Sequence, residues 1–326
     1  MRYLVTGAAG FIGSHLTDTL ITRGHEVTPV DCFTPYYDRQ VKQRNASRFE
    51  IANCDLAVGS LDDLVANVDG IFHLAGQPGV RASWGAEFDS YSRHNILASQ
   101  RLFETAASHR VRVVFASSSS VYGDAATYPT HETASLSPRS PYGVSKLACE
   151  HLAHAYSLEH NLDYVALRYF TVYGPRQRPD MAFAQLFVAL LNNRPFVLNG
   201  DGSQSRCFTY ITDAVEATRL AMEHASPKRI YNVGGGSETT LRDAITFCER
   251  FTGRPLTLNE VGTADGDVQR TSADTQAIRS DLAWTPHVDL ETGLHAQWAS
   301  LQHPHDRRNT PKKPHRTRKV PISTRQ

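Results

Sequence analysis

The chain has 326 residues, 40% apolar and 21% charged, with a net charge of +1, the make-up of a soluble globular protein of one large or two closely joined domains. No apolar run reaches the ~18 residues of a membrane-spanning helix, and no basic-then-apolar leader precedes the first strand, so a cytoplasmic location without a membrane partner is expected. The five cysteines Cys32, Cys54, Cys149, Cys207 and Cys248 are scattered, with no Cys-x-x-Cys pair, which excludes a disulfide scaffold and a thiolate zinc site.

The charge is uneven. Residues 303–326 hold eight Lys/Arg against one Asp, a surplus of +7 that leaves −6 on the remainder. With almost nothing apolar to bury, this tail is expected to be a basic, disordered, solvated extension. Nonspecific binding to nucleic acid or to an acidic partner is the other use of such a run, but no nucleic-acid partner is expected.

From the start of the chain, Arg2–Thr6 is a short apolar strand that runs into Gly7-Ala8-Ala9-Gly10-Phe11-Ile12-Gly13. Residues 14–23 have helical spacing (Leu16, Leu20, Ile21) and stop at Gly24, and 26–30 form a second strand that ends on Asp31. Strand, glycine turn, helix, strand and acid make a dinucleotide-binding unit. The glycines allow a tight turn and a close approach of backbone to a pyrophosphate at the helix N-terminus. Asp31 is placed for the adenosine ribose hydroxyls, which favours NAD, since a 2′-phosphate would meet a carboxylate.

A third strand is expected at 49–52 with Asp55 and Leu56 just beyond it, a short helix at 61–68, and a fourth strand at 71–75. The loop Gly76-Gln77-Pro78-Gly79-Val80-Arg81 follows. A long amphipathic helix at 88–108 leads to a fifth strand at 112–116, which delivers Ser117-Ser118-Ser119-Ser120 at its C-terminal edge, where ligands of parallel sheets bind. The next helix, 142–159, carries Tyr142 and Lys146 four residues apart and hence on one face. An ammonium beside a phenol stabilises the phenolate, which makes Tyr142 a candidate general base with Ser118 to hold the substrate oxygen. A sixth strand is expected at 164–168. Beyond Phe170 the alternation becomes irregular, as for a smaller substrate domain. Residues 208–211 and 230–233 read as strands returning to the first domain, and 240–252 as a helix. The expected fold is α/β: a doubly wound parallel sheet of the Rossmann type over 1–169, with returning segments near 207–235. A second, smaller domain is expected from 170–206 and 236–302.

Taken together, TGAAGFIGSH, Asp31, HLAGQPGVR, SSSSVYG, SPYGVSK, RYFTVYGPRQRPDM and GDGSQSR resemble the extended short-chain dehydrogenase/reductase family, in particular its nucleotide-sugar epimerases and dehydratases. The resemblance implies that Gly7, Gly10, Phe11, Ile12 and Gly13 hold the NAD pyrophosphate, Asp31 the adenosine ribose, and Asp55 and Leu56 the adenine. Leu74, Ala75, Tyr142 and Lys146 would complete the cofactor site. Tyr142, Lys146 and Ser118 would be the catalytic residues. Arg81, Ser119, Ser120, Thr171, Arg178, Arg206 and Asp267 would join Ser118 on the substrate side, Arg206 at the diphosphate and Asp267 at the uridine ribose. Cys207 stands where the family usually has aspartate, and Ala264 where an arginine is common. A homodimer through a four-helix bundle of the 88–108 and 142–159 helices is implied as well.

The resemblance also indicates the reaction. Dehydratases and decarboxylases of this family carry a glutamate two positions after the catalytic hydroxyl; this chain has Ser119 and Ser120 there, which neither abstract a carbon proton nor assist a leaving group. Thr171, Arg178 and GVR-x-SW at 79–84 resemble the uronate epimerases, so C4 epimerisation of UDP-glucuronate to UDP-galacturonate is expected. The alternatives are a UDP-glucose 4-epimerase, a decarboxylase or dehydratase with its carboxylate elsewhere, and an NAD-binding regulator without catalysis.

Overall fold

The computed structural model of the protein describes residues 1–224, 228–236 and 238–302; the basic tail from 303 lies outside the described residues. A seven-stranded parallel sheet forms the centre, in the order Ile230–Val233, Tyr164–Tyr169, Val113–Ser118, Gly70–His73, Arg2–Thr6, Glu26–Asp31, Ala52–Asn53. Its central strands are buried on both faces, and all six residues of Tyr164–Tyr169 are covered. That is why they read as continuous apolar runs rather than alternating ones. Tyr3 and Val5 enter one apolar cluster with Leu16, Phe72 and Leu167, while Leu4 enters the other with Ile71, Phe103 and Val113. From Arg2–Thr6 the chain first builds outward through Glu26–Asp31, then returns to build the other side from Gly70–His73. The strand order therefore reverses beside the first strand, and a ligand crevice opens at its carboxyl end.

The helix Pro141–His160 starts where Ser140 accepts a hydrogen bond from Gly143 N–H at 3.1 Å and proline occupies the first turn, two signals that fix a helix N-terminus. It packs beside Ala98–His109, where Gln100 Nε2 donates to Tyr156 Oη at 2.5 Å. The long helix expected at 88–108 is continuous in direction but not in type. Phe88–Tyr91 is α-helical, Ser92–Leu97 is a π turn, and the α-helix resumes at Ala98.

Several expected strands are corrected. The third pairs only over Ala52–Asn53 instead of 49–52. Residues 208–211 do not return to the main sheet: Thr209–Tyr210 pairs with Val172–Tyr173, and Ile211 already begins the helix Ile211–Glu223. A short apolar run does not by itself distinguish a strand from the first turn of a buried helix. Ile230–Val233 does return, as the edge strand next to Tyr164–Tyr169. The smaller lobe holds a three-stranded sheet of Glu238–Thr240, Ser205–Cys207 and Arg270–Thr271 and a two-stranded one of Leu258–Val261 with Phe196–Asn199.

His73, at the end of the fourth strand, has both ring nitrogens engaged, with Thr6 Oγ1 at 2.8 Å and Ser99 Oγ at 2.9 Å. Burial, reinforced by the Lys146 charge, pushes its pKa down to about 3. The unfolded chain binds that proton near pH 6.5, so this contribution to stability is complete above that pH. It falls by about 1.4 kcal/mol per unit as the pH drops toward the folded value. Melting curves at pH 6.5 and 5.5 should show a smaller acid loss in His73→Gln than in the wild type; equal losses would locate the acid sensitivity in other groups.

Candidate active site

The crevice beside the first strand is lined by Gly7, Gly10, Phe11, Ile12, Gly13, Asp31, Asp55, Leu56, Leu74 and Ala75, so the residues assigned to the dinucleotide from sequence, apart from the Tyr142–Lys146 pair, share one cleft. Two glycines are dictated by contact. Gly7 has φ +69°, and a Cβ there would lie 2.7 Å from Ala75 N; a Cβ on Gly13 would lie 2.1 Å from the Gly7 carbonyl oxygen. The helix Phe11–Thr22 begins at Gly10 with no side-chain cap and no acid in its first turn, leaving its N-terminal dipole and N–H groups for an anion. Asp31 accepts from Phe33 N–H at 2.7 Å and Ala9 N–H at 3.1 Å, which fixes the carboxylate with acceptor capacity to spare for a diol. A glycine cradle at a helix N-terminus and a carboxylate one strand away fit a dinucleotide. Asp55 accepts from Ala57 N–H at 2.9 Å and from Arg93 at 2.6 Å. Burial works against its charge, but the Arg93 and Ala57 hydrogen bonds hold its pKa below the usual carboxylate range.

A second cleft adjoins the first and shares Phe11, Ile12, Leu74, Gly76, Pro78, Ala116 and Arg178 with it. Tyr142, Lys146, Ser118, Ser119, Ser120, Thr171 and Arg178 meet there, and its described lining residues include no Asp or Glu. Lys146 Nζ donates to the Ala116 carbonyl at 2.9 Å, which pins the ammonium to the end of the fifth strand. Ser118 Oγ accepts from Ser120 N–H at 3.1 Å, leaving its own proton to donate. Ser117, by contrast, turns its hydroxyl into the core against Glu150. Thr171 and Ser120 also border a third cleft with Arg206, Arg139 and Asp267, so a bound molecule extending from Tyr142 would pass from sugar-sized to anion-binding surroundings.

Arg81 is not in the Tyr142 cleft. Its guanidinium crosses to the smaller lobe and donates to Asp267 at 2.6 Å, placing it on the outer side with Asp180 and Gln204. Gln77 does line the Tyr142 cleft. Cys207 is buried, with its thiol on the Gly235 carbonyl at 2.8 Å, and burial pushes that thiol up to about 11. Position 207 thus serves the core in this chain, and Arg206 stands at the anion cleft without an acid directly after it.

Three features were not foreseen. Asn95, in the π turn, accepts from Gln77 N–H at 2.6 Å and donates to Ser145 Oγ at 2.8 Å, tying the 76–79 loop to the Tyr142 helix. Such turns recur at functional sites, but nothing in the helical pattern of 88–108 marks one. Lys42 is buried in the dinucleotide cleft, its ammonium donating to Thr34 O at 2.9 Å; burial lowers its pKa, against the opposing influence of Asp31. Asp180 grips Arg178 from the outer side at 3.0 and 2.9 Å.

A dinucleotide crevice that opens onto a tyrosine, lysine and serine beneath a smaller lobe defines the class of extended short-chain dehydrogenases/reductases. The chain belongs to the NAD dependent epimerase/dehydratase family, whose model matches residues 3–234. It is 42% identical over 311 residues to the uncharacterized UDP-glucose epimerase YtcB of Bacillus subtilis, covering 92% of this chain and 98% of that one. It is 35% identical over 324 residues to the probable UDP-glucuronate 4-epimerase of Rhizobium meliloti, with 90% and 95% covered. The solved structure of UDP-glucuronic acid 4-epimerase from Bacillus cereus in complex with UDP-glucuronic acid and NAD superimposes with a TM-score of 0.89 at 38% identity, over 94% of this chain and 100% of that one.

Proposed function

We propose that this protein is an NAD-dependent isomerase that converts UDP-glucuronate to UDP-galacturonate by epimerisation at C4, without loss of carbon dioxide. The observation that carries the reading is the make-up of the Tyr142 cleft: a phenol, a lysine and a serine for alcohol oxidation, Thr171 and Arg178 for a carboxylate, and no Asp or Glu among its described lining residues. The Bacillus cereus enzyme, crystallised with UDP-glucuronic acid and NAD, supports it. Gly7, Gly10, Phe11, Ile12, Gly13, Asp31, Asp55, Leu56, Leu74 and Ala75 would hold NAD. When bound, NAD accepts the hydride that leaves C4 and later returns it to the opposite face of the sugar.

Tyr142 takes the proton of the 4-hydroxyl, with Lys146 one turn further along the same helix face. Ser118 donates its free O–H to the same sugar oxygen. Arg206 binds the diphosphate, and Asp267 lies toward the nucleoside. The 4-keto uronate is a β-keto acid, which loses its carboxylate readily once that bond aligns with the ketone π system. A charged, hydrogen-bonded carboxylate is stabilised against departure, and Arg178 with Thr171 would fix it out of that alignment.

Incubation with UDP-glucuronate followed by separation of products tests the assignment: the galacturonate epimer is expected, with no pentose. In Arg178→Ala, epimerisation should fall by about 10-fold or more, in line with loss of a charge-assisted hydrogen bond, and a UDP-pentose should appear. A slower variant that still makes only the epimer would remove the role assigned to the clamp.

The second reading is a UDP-glucose 4-epimerase, favoured by the name of the Bacillus subtilis relative. It requires turnover of UDP-glucose that is indifferent to Arg178. We assign residues 170–206 and 236–302 to the substrate lobe and propose a cytoplasmic homodimer through the two long helices. Leu97, Val144 and Leu158, at 44%, 48% and 67% exposure, offer apolar side chains on those helices.

A further inference from the structure

A guanidinium has two edges that can grip a carboxylate through paired hydrogen bonds: the edge bearing Nε and the edge between the two terminal nitrogens. On Arg178 the first edge is taken. Asp180 Oδ1 accepts from Nε at 3.0 Å and Oδ2 from one terminal nitrogen at 2.9 Å. The second edge is the one left for a ligand. Arg178 lines the catalytic, dinucleotide and outer clefts, whereas Asp180 lines the outer one with Tyr36 and Gly79. The aspartate is thus not among the described residues that line the catalytic cleft with Tyr142.

Asp180 is itself braced. Tyr36 Oη donates to its Oδ2 at 3.2 Å. The Tyr36 hydroxyl rests on Gly79, which has φ +99° and where a Cβ would come within 2.1 Å of that oxygen. The Gly79 carbonyl in turn accepts from Tyr91 Oη at 2.7 Å, as does that of Pro78 at 2.8 Å. Support thus runs from the 78–79 loop of the dinucleotide lobe through Tyr36 and Asp180 to the guanidinium of Arg178.

We propose that Asp180 is a positioning residue that sets the preference for an acidic sugar: it holds Arg178 by the Nε edge so that the terminal edge faces the C6 carboxylate. The inference rests on the uronate reading of the site. It predicts two carboxylates on one guanidinium in the substrate complex, the internal one staying in place when the substrate arrives. The opposite arrangement, in which Asp180 competes with the substrate for Arg178, makes the reverse prediction for affinity.

Calorimetric titration of the NAD-loaded protein with UDP-glucuronate and with UDP-glucose separates them. Asp180→Asn should weaken UDP-glucuronate by about 10-fold, the loss of one well-placed charge-assisted contact, and leave UDP-glucose unchanged, so that the ratio of the two affinities falls. Tyr36→Phe should shift the ratio in the same direction by less, and it carries the test if Asp180→Asn does not fold. Tighter binding of UDP-glucuronate, or an unchanged ratio in both variants, overturns the proposal. Arg178→Ala in the same titrations keeps the two levels apart. If it loses the preference and Asp180→Asn does not, only the role of Asp180 fails; if Arg178→Ala keeps the preference, the uronate reading fails first.

Discussion

Tyr142→Phe should lower kcat for C4 epimerisation by about 10²–10⁴-fold, the usual worth of a positioned proton-transfer group, while nucleotide-sugar and NAD binding persist. The change removes one oxygen and little else. The Tyr142 ring packs edge-on against Tyr91 with centroids 6.2 Å apart, a contact that phenylalanine retains. Lys146 is anchored by the Ala116 carbonyl and Ser118 by the Ser120 N–H, so neither partner depends on the phenol for its position. What disappears is the acceptor for the 4-hydroxyl proton, and without it hydride departure would leave a protonated ketone. Stopped-flow absorbance of the reduced nicotinamide, read beside calorimetric affinity for UDP-glucuronate, distinguishes lost chemistry from lost binding. Turnover within a factor of ten of the wild type would move the base to another residue.

The residues expected to hold the dinucleotide share one cleft, and they could be picked out along the chain because the pattern is local. A glycine turn, a helix start and an acid at the end of the second strand lie within residues 7–31, and the positive φ of Gly7 and the close contact at Gly13 leave few other residues for those positions. The Tyr142 helix was expected at 142–159 and forms over Pro141–His160, with Ser140 as its cap. What could not be read is what depends on distant partners. Arg81 finds Asp267 across 186 positions, and Tyr36 finds Asp180 across 144; no periodicity encodes either meeting. The π turn at Ser92–Leu97 keeps an amphipathic pattern close to that of an α-helix, so Asn95 gave no sign of its bond to the 76–79 loop. Thr209–Tyr210 was placed in the wrong sheet because two residues of extended chain carry too little pattern to name a neighbour.

Glu150→Ala is expected to produce the largest loss of stability of any single change near the site, about 3–5 kcal/mol, because it strips the partner from a buried guanidinium. Arg168 and Glu150 are 1% and 5% exposed, and they pair through both edges of the carboxylate at 2.9 and 2.6 Å. In the variant Arg168 would keep Tyr122 Oη and the Glu132 carbonyl, each at 2.9 Å, but these neutral acceptors cannot balance a full charge away from water. Glu150 follows Tyr142 and Lys146 at the same four-residue spacing on one helix face, and it also holds the Ser117 hydroxyl. Glu150 therefore ties the helix that carries Tyr142 to the strand Tyr164–Tyr169 through Arg168 and to the end of the strand that carries Ser118 through Ser117, and loosening it should cost activity as well as stability. Urea denaturation of Glu150→Ala, Glu150→Gln and the double variant Glu150→Leu/Arg168→Met tests this. Removing both charges together should be far less damaging than removing one, because a well-packed apolar pair of similar volume replaces a buried ion pair at small net cost. If Glu150→Ala unfolds within about 1 kcal/mol of the wild type, in the range of an exposed ion pair, the charge on Arg168 is compensated by another route and this ion pair does not brace the site.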